Sequence, residues 1–586
     1  MINDKALSDF LSKNALIALS DVELAIGKNG EKLTNWQLRF NQLAPAEMYV
    51  QYHTLVTQLM QANMSESKRL KLFEHINKIN ERLLAGLHHI YKNQSGLLDE
   101  HQQQALDMVI SVHYVGVMFY YSVWQRVANN PQLAEKKGLG AMFGLGNATK
   151  SHDELVQQCL YGMMSLLRQA LFEKQIGYRT DTQVIWQWLN ACYHFMLANG
   201  WQNVAIHLPL FGQTGLSQGK PLTLENIYHQ CLFSEIINPY ACRRPDMIMW
   251  QKFSNDGLKT LMVSQDLLEK PYLFINLKSN EPPKLHHADL AFNPFAKDSD
   301  CLFLGVSKLV PLLQKMITKG QNSDDMNDKI YERFAKIMLE NLKKNLTQPE
   351  SLTKTNAKCQ TVVGFYHIHY MLANKASLGN LIQAHELPER LRPKSQNNTQ
   401  LNKSTVVNVV EKNHHQLHLM SHYAYTQTMN VQNGATHRNA ELNALSYLQV
   451  GSMVGIRMMD DANKTWLLGR IDNIAQTPIK STKFESGEPV ELSIDSHVKL
   501  FGKGMVPCGV RLYHSGTRPQ HFVPALMIPK NAEFNREKTT IMIARLGYQV
   551  DEKLIMRIDN KEVNIRLTEL LNMTDDVEEY AFVRVQ

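Results

Sequence analysis

Three histidines at intervals of four residues are the group in this sequence that is most suggestive of metal chemistry. His414, His418 and His422 lie within residues 411–422. On a helix such residues share one face, and imidazoles on one face can bind a divalent metal ion. The segment has the composition of a strand, however, and on a strand residues four apart are separated by about 13 Å. One ion cannot bridge that distance, so the sequence predicts a solvated histidine-rich face and no metal site.

A glycine-rich segment at 137–150 could turn backbone N–H groups toward a phosphate. It follows no predicted strand and lacks the Gly-Lys-Ser/Thr ending of a phosphate-binding loop, so we interpret it as a connector. The chain also has no Gly-x-Ser-x-Gly elbow, no His-Glu-x-x-His pair and no nucleophilic cysteine signature. We therefore predict that the protein is not an enzyme and has no catalytic residues.

Composition excludes several classes of protein. The 586 residues include 62 Lys+Arg and 55 Asp+Glu, a net charge of +7, and 44% of them are hydrophobic, which is ordinary for a globular protein. The excess positive charge is spread over the chain, so a nucleic-acid partner is not expected. The most apolar segment, 109–124, is 16 residues long. A membrane span needs about 20 apolar residues, so this segment is predicted to be a buried helix.

The cysteines and the first residues indicate the compartment. The seven cysteines are odd in number and scattered, with neither a Cys-x-x-Cys pair nor zinc-ligand spacing, which favours a reducing environment. The sequence begins Met1-Ile-Asn-Asp-Lys and has no apolar export signal there. The protein is predicted to be cytoplasmic.

Hydrophobic periodicity divides the chain into a helical part and a β part. Apolar residues recur every three or four positions over 1–130, which predicts a helical bundle, and a second helical domain follows at 151–350. Ser151 or Asp153 can cap the first helix of that domain. Within it, Trp186-x-x-Leu189 resembles the start of a tetratricopeptide repeat, although a plain core-facing helix is favoured. From Thr361 onward, short β-type runs bounded by Gly, Asn, Asp or Pro predict a barrel or sandwich. The first of these runs extends from Thr361 to Tyr370 and contains His367 and His369, which we interpret as structural histidines.

The β part resembles a known family in the order of its segments. The resemblance is seen in five segments of the β part: Val450-Gly-Ser-Met-Val-Gly-Ile-Arg, Trp466-Leu-Leu-Gly-Arg-Ile, Cys508-Gly-Val-Arg-Leu-Tyr, Pro524-Ala-Leu-Met-Ile-Pro and Asn564-Ile-Arg-Leu-Thr-Glu-Leu-Leu-Asn-Met-Thr. Two earlier segments also show it: Leu224-Glu-Asn-Ile-Tyr-His-Gln-Cys-Leu-Phe and Ile237-Asn-Pro-Tyr-Ala-Cys-Arg-Arg. This region is similar to large bacterial proteins that carry a PilZ-like domain, a β-barrel that in typical members receives cyclic di-GMP. The resemblance implies an α+β multidomain fold: a helical bundle at 1–130, a second helical domain at 151–350, a PilZ-like antiparallel barrel at 355–530 and a β extension at 531–586.

The resemblance also implies a ligand site, in degenerate form. Typical PilZ domains hold the dinucleotide with Arg-x-x-x-Arg before the first barrel strand and Asp/Asn-x-Ser-x-x-Gly on a following strand. Guanidinium groups suit this task because they bind phosphate in bidentate fashion and stack on guanine. This chain has no Arg-x-x-x-Arg. The corresponding residues are Lys354 and Lys358 for phosphate and Asn408 for a guanine edge, with Arg470 as a looser candidate on the facing strands.

The resulting functional prediction is a non-catalytic cytoplasmic signalling or scaffold protein. Its PilZ-like domain binds cyclic di-GMP weakly or has become a protein-docking module, and no other cofactor is expected. The resemblance implies a protein partner in the pilus or surface-motility machinery. Two alternatives stay open. One is an RNA-binding barrel, for which Trp466 beside Lys464 and Arg470 is the only suitable spot in the barrel. The other is an enzyme with an unrecognised site in the helical region.

Overall fold

The N-terminal half of the chain is mainly helical. The computed structural model describes residues 1–585 except 14–15, 130–150, 207–221, 288–289, 297, 348–350, 395–403, 427–447, 462–464, 480–488, 514–519 and 575. The glycine-rich segment at 137–150 therefore lies outside the described residues. The helices are α1 (Asp4–Ser12), α2 (Leu33–Phe40), α3 (Pro45–Gln61), α4 (Glu66–Tyr91), α5 (Glu100–Asn129), α6 (His152–Ile176), α7 (Gln183–Ala198), α8 (Leu224–Glu235), α9 (Arg244–Gly257), α10 (Leu309–Gln321), α11 (Met326–Asn345), α12 (Phe365–Leu372) and α13 (Leu378–Leu381).

Helix α5 is the centre of the bundle. It packs against α6, and buried residues of both helices belong to the same hydrophobic core. The predicted division between a 1–130 bundle and a separate domain from 151 therefore differs from the structure, where one core joins the two. Helix α5 is long and apolar enough to span a membrane by length and composition, but 89% of its most apolar 18-residue window is buried inside the protein. The core helix of a globular protein has the same signature.

Helix α6 begins where the sequence predicts. The Ser151 side chain accepts a hydrogen bond from the Glu154 backbone N–H (3.2 Å), and the Ser151 N–H donates to Glu154 Oε2 (2.7 Å). This reciprocal pair is a capping box, in which two N–H groups at the helix start find partners. In α7, Trp186 and Leu189 are fully buried, as a core-facing helix requires.

The close approach of α5 and α6 depends on a glycine. A Cβ atom added to Gly162 would lie 2.3 Å from ring carbons of Tyr120, a fully buried residue. We expect Gly162→Ala to lower the free energy of unfolding by about 1–2 kcal/mol, because overpacking costs about 1–3 kcal/mol and the better helix propensity of Ala returns about 0.5–1 kcal/mol. Urea denaturation followed by circular dichroism measures the change.

The matched control is Gly86→Ala in α4. Gly86 is exposed and has nothing within 4 Å of the position of an added Cβ. That variant is expected to be more stable than the wild type by about 0.5–1 kcal/mol. Equal effects of the two substitutions would contradict the packing argument.

A small antiparallel sheet interrupts the second helical region. Strands β3 (Met262–Ser264), β4 (Leu273–Asn276), β5 (Lys284–Leu285) and β6 (Cys301–Gly305) are arranged in the order β3-β6-β4-β5. A two-stranded pair, β1 (Ala205–Ile206) and β2 (Leu222–Thr223), precedes it. The sequence analysis predicts only helices here. The strands have two to five residues, which is too short for an alternating pattern to be recognised.

The strands in the described part of the chain from Thr353 onward form two closed six-stranded antiparallel barrels. The first consists of β7 (Thr353–Val363), β8 (Thr405–Lys412), β9 (Gln416–Thr426), β10 (Met453–Met458), β11 (Leu467–Pro478) and β12 (Pro489–Lys503), in the order β10-β11-β12-β9-β8-β7. The second consists of β13 (Val506–Leu512), β14 (Val523–Ile528), β15 (Thr540–Ala544), β16 (Lys553–Ile558), β17 (Lys561–Met573) and β18 (Val577–Arg584), in the order β13-β14-β15-β18-β17-β16. The predicted fold class, helical regions followed by an antiparallel β-barrel with extra strands, is confirmed.

The boundaries within the β part differ from the prediction. One barrel at 355–530 with an extension at 531–586 is in fact two barrels, and the division falls between Lys503 and Val506. Gly504 makes the turn there, with φ +68°. The run predicted as a strand through Tyr370 also ends early. Gly364 has φ +94°, a left-handed conformation that glycine tolerates, and α12 begins at the next residue.

Helix α12 fills the junction between the two barrels. Phe365 and Ile368 lie in one core cluster with Met453 and Leu468 of the first barrel and Leu526 of the second. His369, also on α12, is buried, and its Nε2 lies 3.0 Å from the Cys508 carbonyl oxygen. Burial lowers the pKa of His369 to about 4, so this histidine is neutral at pH 7 and has a structural role, as the sequence analysis assumes.

The first barrel is attached to the helical bundle by buried polar contacts. The Tyr425 hydroxyl donates to Asp107 Oδ2 (2.5 Å), and Gln103 Nε2 donates to Gln476 Oε1 (3.1 Å). Gln476 Nε2 in turn donates to the Gly177 carbonyl (3.1 Å). Buried hydrogen bonds of this kind require specific partners, so they define how the barrel sits on the bundle.

Candidate functional site

The helical region and both barrels meet around one pocket, which we call the junction pocket. Its volume is 490 Å³, and its walls come from α9, α11, β11 of the first barrel and the ends of β15 and β17 of the second. Among the described lining residues, cations outnumber acids seven to four. The cations are Arg243, Lys329, Arg333, Lys336, Lys344, Arg470 and Arg545; the acids are Asp246, Glu332, Glu340 and Asp472. A concave site with excess positive charge favours an anionic ligand.

Helix α11 supplies the largest share of this charge. Lys329, Arg333 and Lys336 are exposed and stand at positions i, i+4 and i+7, so they share one face. The opposite face is buried through Phe334 and Met338. The helix starts at a defined point because the Asp325 side chain accepts a hydrogen bond from the Asn327 N–H (2.8 Å). Packing of the apolar face therefore directs the cationic face into the junction pocket.

Strand β11 contributes Arg470, which belongs to a network of ion pairs with α11. Arg470 Nε lies 3.2 Å from Asp472 Oδ1, and its Nη2 lies 3.6 Å from Glu340 Oε1. Lys344 Nζ lies 3.0 Å from the same Glu340 oxygen. Burial opposes ionisation of Glu340, but Lys344 and Arg470 lower its pKa below the ordinary value. Partly exposed pairs contribute at most about 1 kcal/mol each, so a phosphate can displace them.

Arg243 is held at the rim of the pocket by backbone. Its Nε donates to the Val450 carbonyl (2.8 Å). The next residue, Gly451, has φ +84°, and a Cβ atom there would lie 3.0 Å from an Arg243 guanidinium nitrogen. Glycine is therefore required for two reasons, the backbone conformation and the space that Arg243 occupies.

The structure keeps Lys354, Lys358 and Asn408 on one pair of neighbouring strands and places Arg470 elsewhere. Lys358 on β7 and Asn408 on β8 are paired across the strands, and both are exposed. Lys354 is paired with Glu411. Arg470 instead lines the junction pocket.

Arg470 lies far from Lys358 along the first barrel. On β10, which separates β7 from β11, Arg470 is paired with Met453, whereas the Lys358 carbonyl accepts from the Met459 N–H. Six residues of strand correspond to about 20 Å. A single cyclic dinucleotide therefore has two distinct candidate sites, the β7–β8 face and the junction pocket.

A second pocket, next to Asn408, has different chemistry. Its volume is 260 Å³, and besides Asn408 its lining includes Thr361, Ser421 and His422 among mostly apolar residues. None of its described lining residues is Lys or Arg. A site without cations binds a doubly charged anion poorly, so the junction pocket is the stronger candidate.

The cationic residues of α11 are absent from the predicted site, because the substitute for Arg-x-x-x-Arg is chosen among the residues directly before the strand at Thr361. Lys329 and Arg333 have the four-residue spacing that was sought, and they lie on the helix that precedes β7. The spacing of Lys329, Arg333 and Lys336 on one helical face was the available signal. Arg243 and Arg545 left no such signal, because only folding brings them to the same pocket.

The proposed RNA-binding spot is only partly described. Lys464 lies outside the described residues. The Arg457 guanidinium carbon lies 5.0 Å from the centre of the Trp466 ring, in a cation–π contact. Trp466 is partly buried, so this contact occupies a ring face on which a base would have to stack.

Two family models match the chain. Residues 31–264 match the model described as the N-terminal domain of the cyclic-di-GMP receptor FimW, and residues 508–585 match the FimW C-terminal beta-barrel domain. The two matches together span just over half of the chain, and they cover Arg243 and Arg545. Helix α11 and the first barrel lie between them. No curated protein and no solved structure matches the chain.

Proposed function

The chain belongs to the FimW family of cyclic-di-GMP receptors, and on that premise we propose that it binds cyclic di-GMP in the junction pocket. The observation that carries this proposal is the excess of cations in a 490 Å³ pocket. Cyclic di-GMP has two phosphates and two guanines. Arginine can bind a phosphate with two parallel hydrogen bonds and can stack on a guanine ring, and Arg243, Arg333, Arg470 and Arg545 all line this pocket.

A ligand in this pocket would contact three parts of the chain at once. Arg333 is on the helical region, Arg470 on the first barrel and Arg545 on the second. Binding energy is therefore available to favour one arrangement of these parts over another, which is how a receptor transmits a signal. This supports a role in signalling or scaffolding, in which either barrel can also serve as a protein-docking module.

The test is calorimetric titration of the full chain with cyclic di-GMP. Arg333→Ala/Arg470→Ala is expected to weaken binding at least tenfold, because one lost hydrogen bond to a charged group costs about 1.5–3 kcal/mol and 1.4 kcal/mol is a factor of ten. The control variant is Lys354→Ala/Lys358→Ala, which is expected to bind like the wild type. The nucleotide is expected to be recovered intact, as a non-catalytic receptor requires.

Each other outcome has a definite meaning. If the lysine variant loses binding and the arginine variant does not, the ligand site is the β7–β8 face. If the wild type releases no heat at high micromolar nucleotide, the receptor function is rejected and the docking-module hypothesis remains. Hydrolysis of the nucleotide would support the enzyme alternative.

We also propose that the receptor acts in the cytoplasm on a protein partner, with the pilus or surface-motility machinery as the partner that the sequence resemblance implies. The seven cysteines are buried free thiols, which suits a reducing compartment. Alkylation of denatured protein taken directly from cells is expected to modify all seven. A disulfide found in that assay would exclude the cytoplasmic assignment.

A further inference from the structure

Three neighbouring strands of the first barrel bring two histidines and two carboxylates together. His418 on β9 is paired directly with His497 on β12, and Glu411 on β8 is paired with His418. Asp495 precedes His497 by two residues and therefore lies on the same face of β12. We call these four residues the histidine cluster.

The donor atoms of the histidine cluster are close to one another. One donor atom each from His418, Asp495 and His497 can be chosen so that all lie within 4.8 Å of one another. His418 Nδ1 lies 3.3 Å from Glu411 Oε2, and His497 Nε2 lies 3.8 Å from Asp495 Oδ2. The two imidazole rings are stacked, with centroids 3.6 Å apart and planes at 14°.

One oxygen of the cluster has no partner among the described residues. Asp495 Oδ1 is itself buried, although the side chain as a whole is 38% exposed, and it accepts no hydrogen bond in the part of the chain that the structure describes. A buried acceptor left without a partner costs about 1–3 kcal/mol. Pairing with His497 alone would explain one carboxylate oxygen of Asp495, but it leaves this one unexplained. A bound cation would satisfy it.

The donor set indicates the class of cation. Imidazole nitrogen and carboxylate oxygen together suit Zn²⁺ and neighbouring divalent first-row ions, whereas Mg²⁺ and Ca²⁺ prefer oxygen alone. Zinc bonds of about 2.0–2.2 Å place tetrahedral donors closer together than 4.8 Å. The lone pairs of imidazole nitrogens lie in the ring planes, so binding of one ion also requires the two rings to leave their stacked arrangement. Side-chain rotation supplies both changes, because the three paired strands already hold the backbone positions.

We propose that His418, His497 and Asp495 bind a zinc-class divalent ion, with Glu411 as the fourth donor. The site is separate from the junction pocket and does not depend on the proposed nucleotide function. It also revises the sequence analysis, which considers only the spacing of His414, His418 and His422. The second histidine of the site is 79 positions further along the chain.

The test is calorimetric titration of metal-free full-length protein with Zn²⁺. His418→Ala/His497→Ala is expected to remove one zinc equivalent or to weaken it at least about tenfold, since loss even of an indirect partner at a metal site typically costs 10–100-fold. Asp495→Asn, which preserves side-chain volume, is expected to weaken the same equivalent. The matched control is His414→Ala/His422→Ala, because both of these histidines are exposed and lie outside the cluster.

The proposal is overturned by either of two results. In one, the wild type binds no more zinc than the His418→Ala/His497→Ala variant while circular dichroism shows both to be folded. In the other, the His414→Ala/His422→Ala control loses the same equivalent. If the double-alanine variant does not fold, Asp495→Asn decides, and unchanged zinc affinity in that variant rejects the site.

Discussion

Glu66→Ala is expected to lower the free energy of unfolding by about 3–5 kcal/mol, because it leaves two arginines buried without their counter-charge. Glu66 at the start of α4 lies 3.0 Å from Arg69 Nε and 2.8 Å from Arg126 Nε at the end of α5. The side chains of all three residues are at most 5% exposed. The pairing therefore joins the ends of two core helices in a region that water cannot screen. Urea denaturation monitored by circular dichroism measures the loss.

The matched control is an exposed ion pair that also contains a glutamate. Lys284 Nζ lies 2.5 Å from Glu281 Oε2, with side chains 37% and 54% exposed. Glu281→Ala is expected to change the free energy of unfolding by no more than about 1 kcal/mol. If Glu66→Ala and Glu281→Ala change the free energy of unfolding by similar amounts, burial does not increase the contribution of the Glu66 ion pairs to stability.

Glu235→Gln is expected to make the protein more stable above pH 7, by about 3 kcal/mol. Glu235 at the end of α8 is buried, and burial raises the pKa of its carboxyl from 4.5 to about 7, although Gln175 Nε2 donates a hydrogen bond to it (2.8 Å). Between pH 4.5 and 7 the folded state keeps a proton that the unfolded state has released. The free energy of unfolding of the wild type must therefore fall as pH rises through this window, by about 1.4 kcal/mol for each pH unit.

A glutamine at this position has no proton to bind or release, so this contribution to the pH dependence of the free energy of unfolding is lost. Denaturation of wild type and Glu235→Gln at several pH values between 4 and 8 measures the difference. The two proteins are expected to diverge from about pH 4.5 and to differ by a constant amount above about pH 7.5. If the free energy of unfolding depends on pH in the same way for wild type and Glu235→Gln, burial does not raise the pKa of the Glu235 carboxyl.

Local signals in the sequence predicted local structure well. The Ser151 cap and the burial of the apolar segment at 109–124 both follow from residues within one or two helical turns. The strand predicted through Tyr370 shows where such signals end. Its apolar residues suit a strand or a buried helix equally. The helix forms because Gly364 ends the strand and because α12 fills the space between the two barrels.

The number of barrels could not be predicted from the strands alone. Closure of the first barrel pairs β7 with β10 and β9 with β12, strands that are far apart in the sequence. An alternating pattern reports which face of a strand is buried, but it carries no information about the strand's partner. The strand pattern therefore predicts one barrel at 355–530, which combines the first barrel with the start of the second.

Residues of the two candidate sites, the β7–β8 face and the junction pocket, are even harder to predict from the sequence than the number of barrels. Lys358 and Asn408 were chosen because their types and spacing approximate a family pattern, and the structure does pair them. Arg243 and Arg545 stand about 300 positions apart, and they meet only because a helix and two barrels converge.

By itself, the sequence determined the helical and β character of the two halves, the burial of the most apolar helix and the membership in a cyclic-di-GMP receptor family. These properties depend on interactions between residues close in the chain or on the order of short segments along it. Only the tertiary structure decided that there are two barrels, that cations from three regions share one pocket and that His418 faces His497. Those outcomes depend on long-range packing, in which each contact is selected by the burial of many other residues at once.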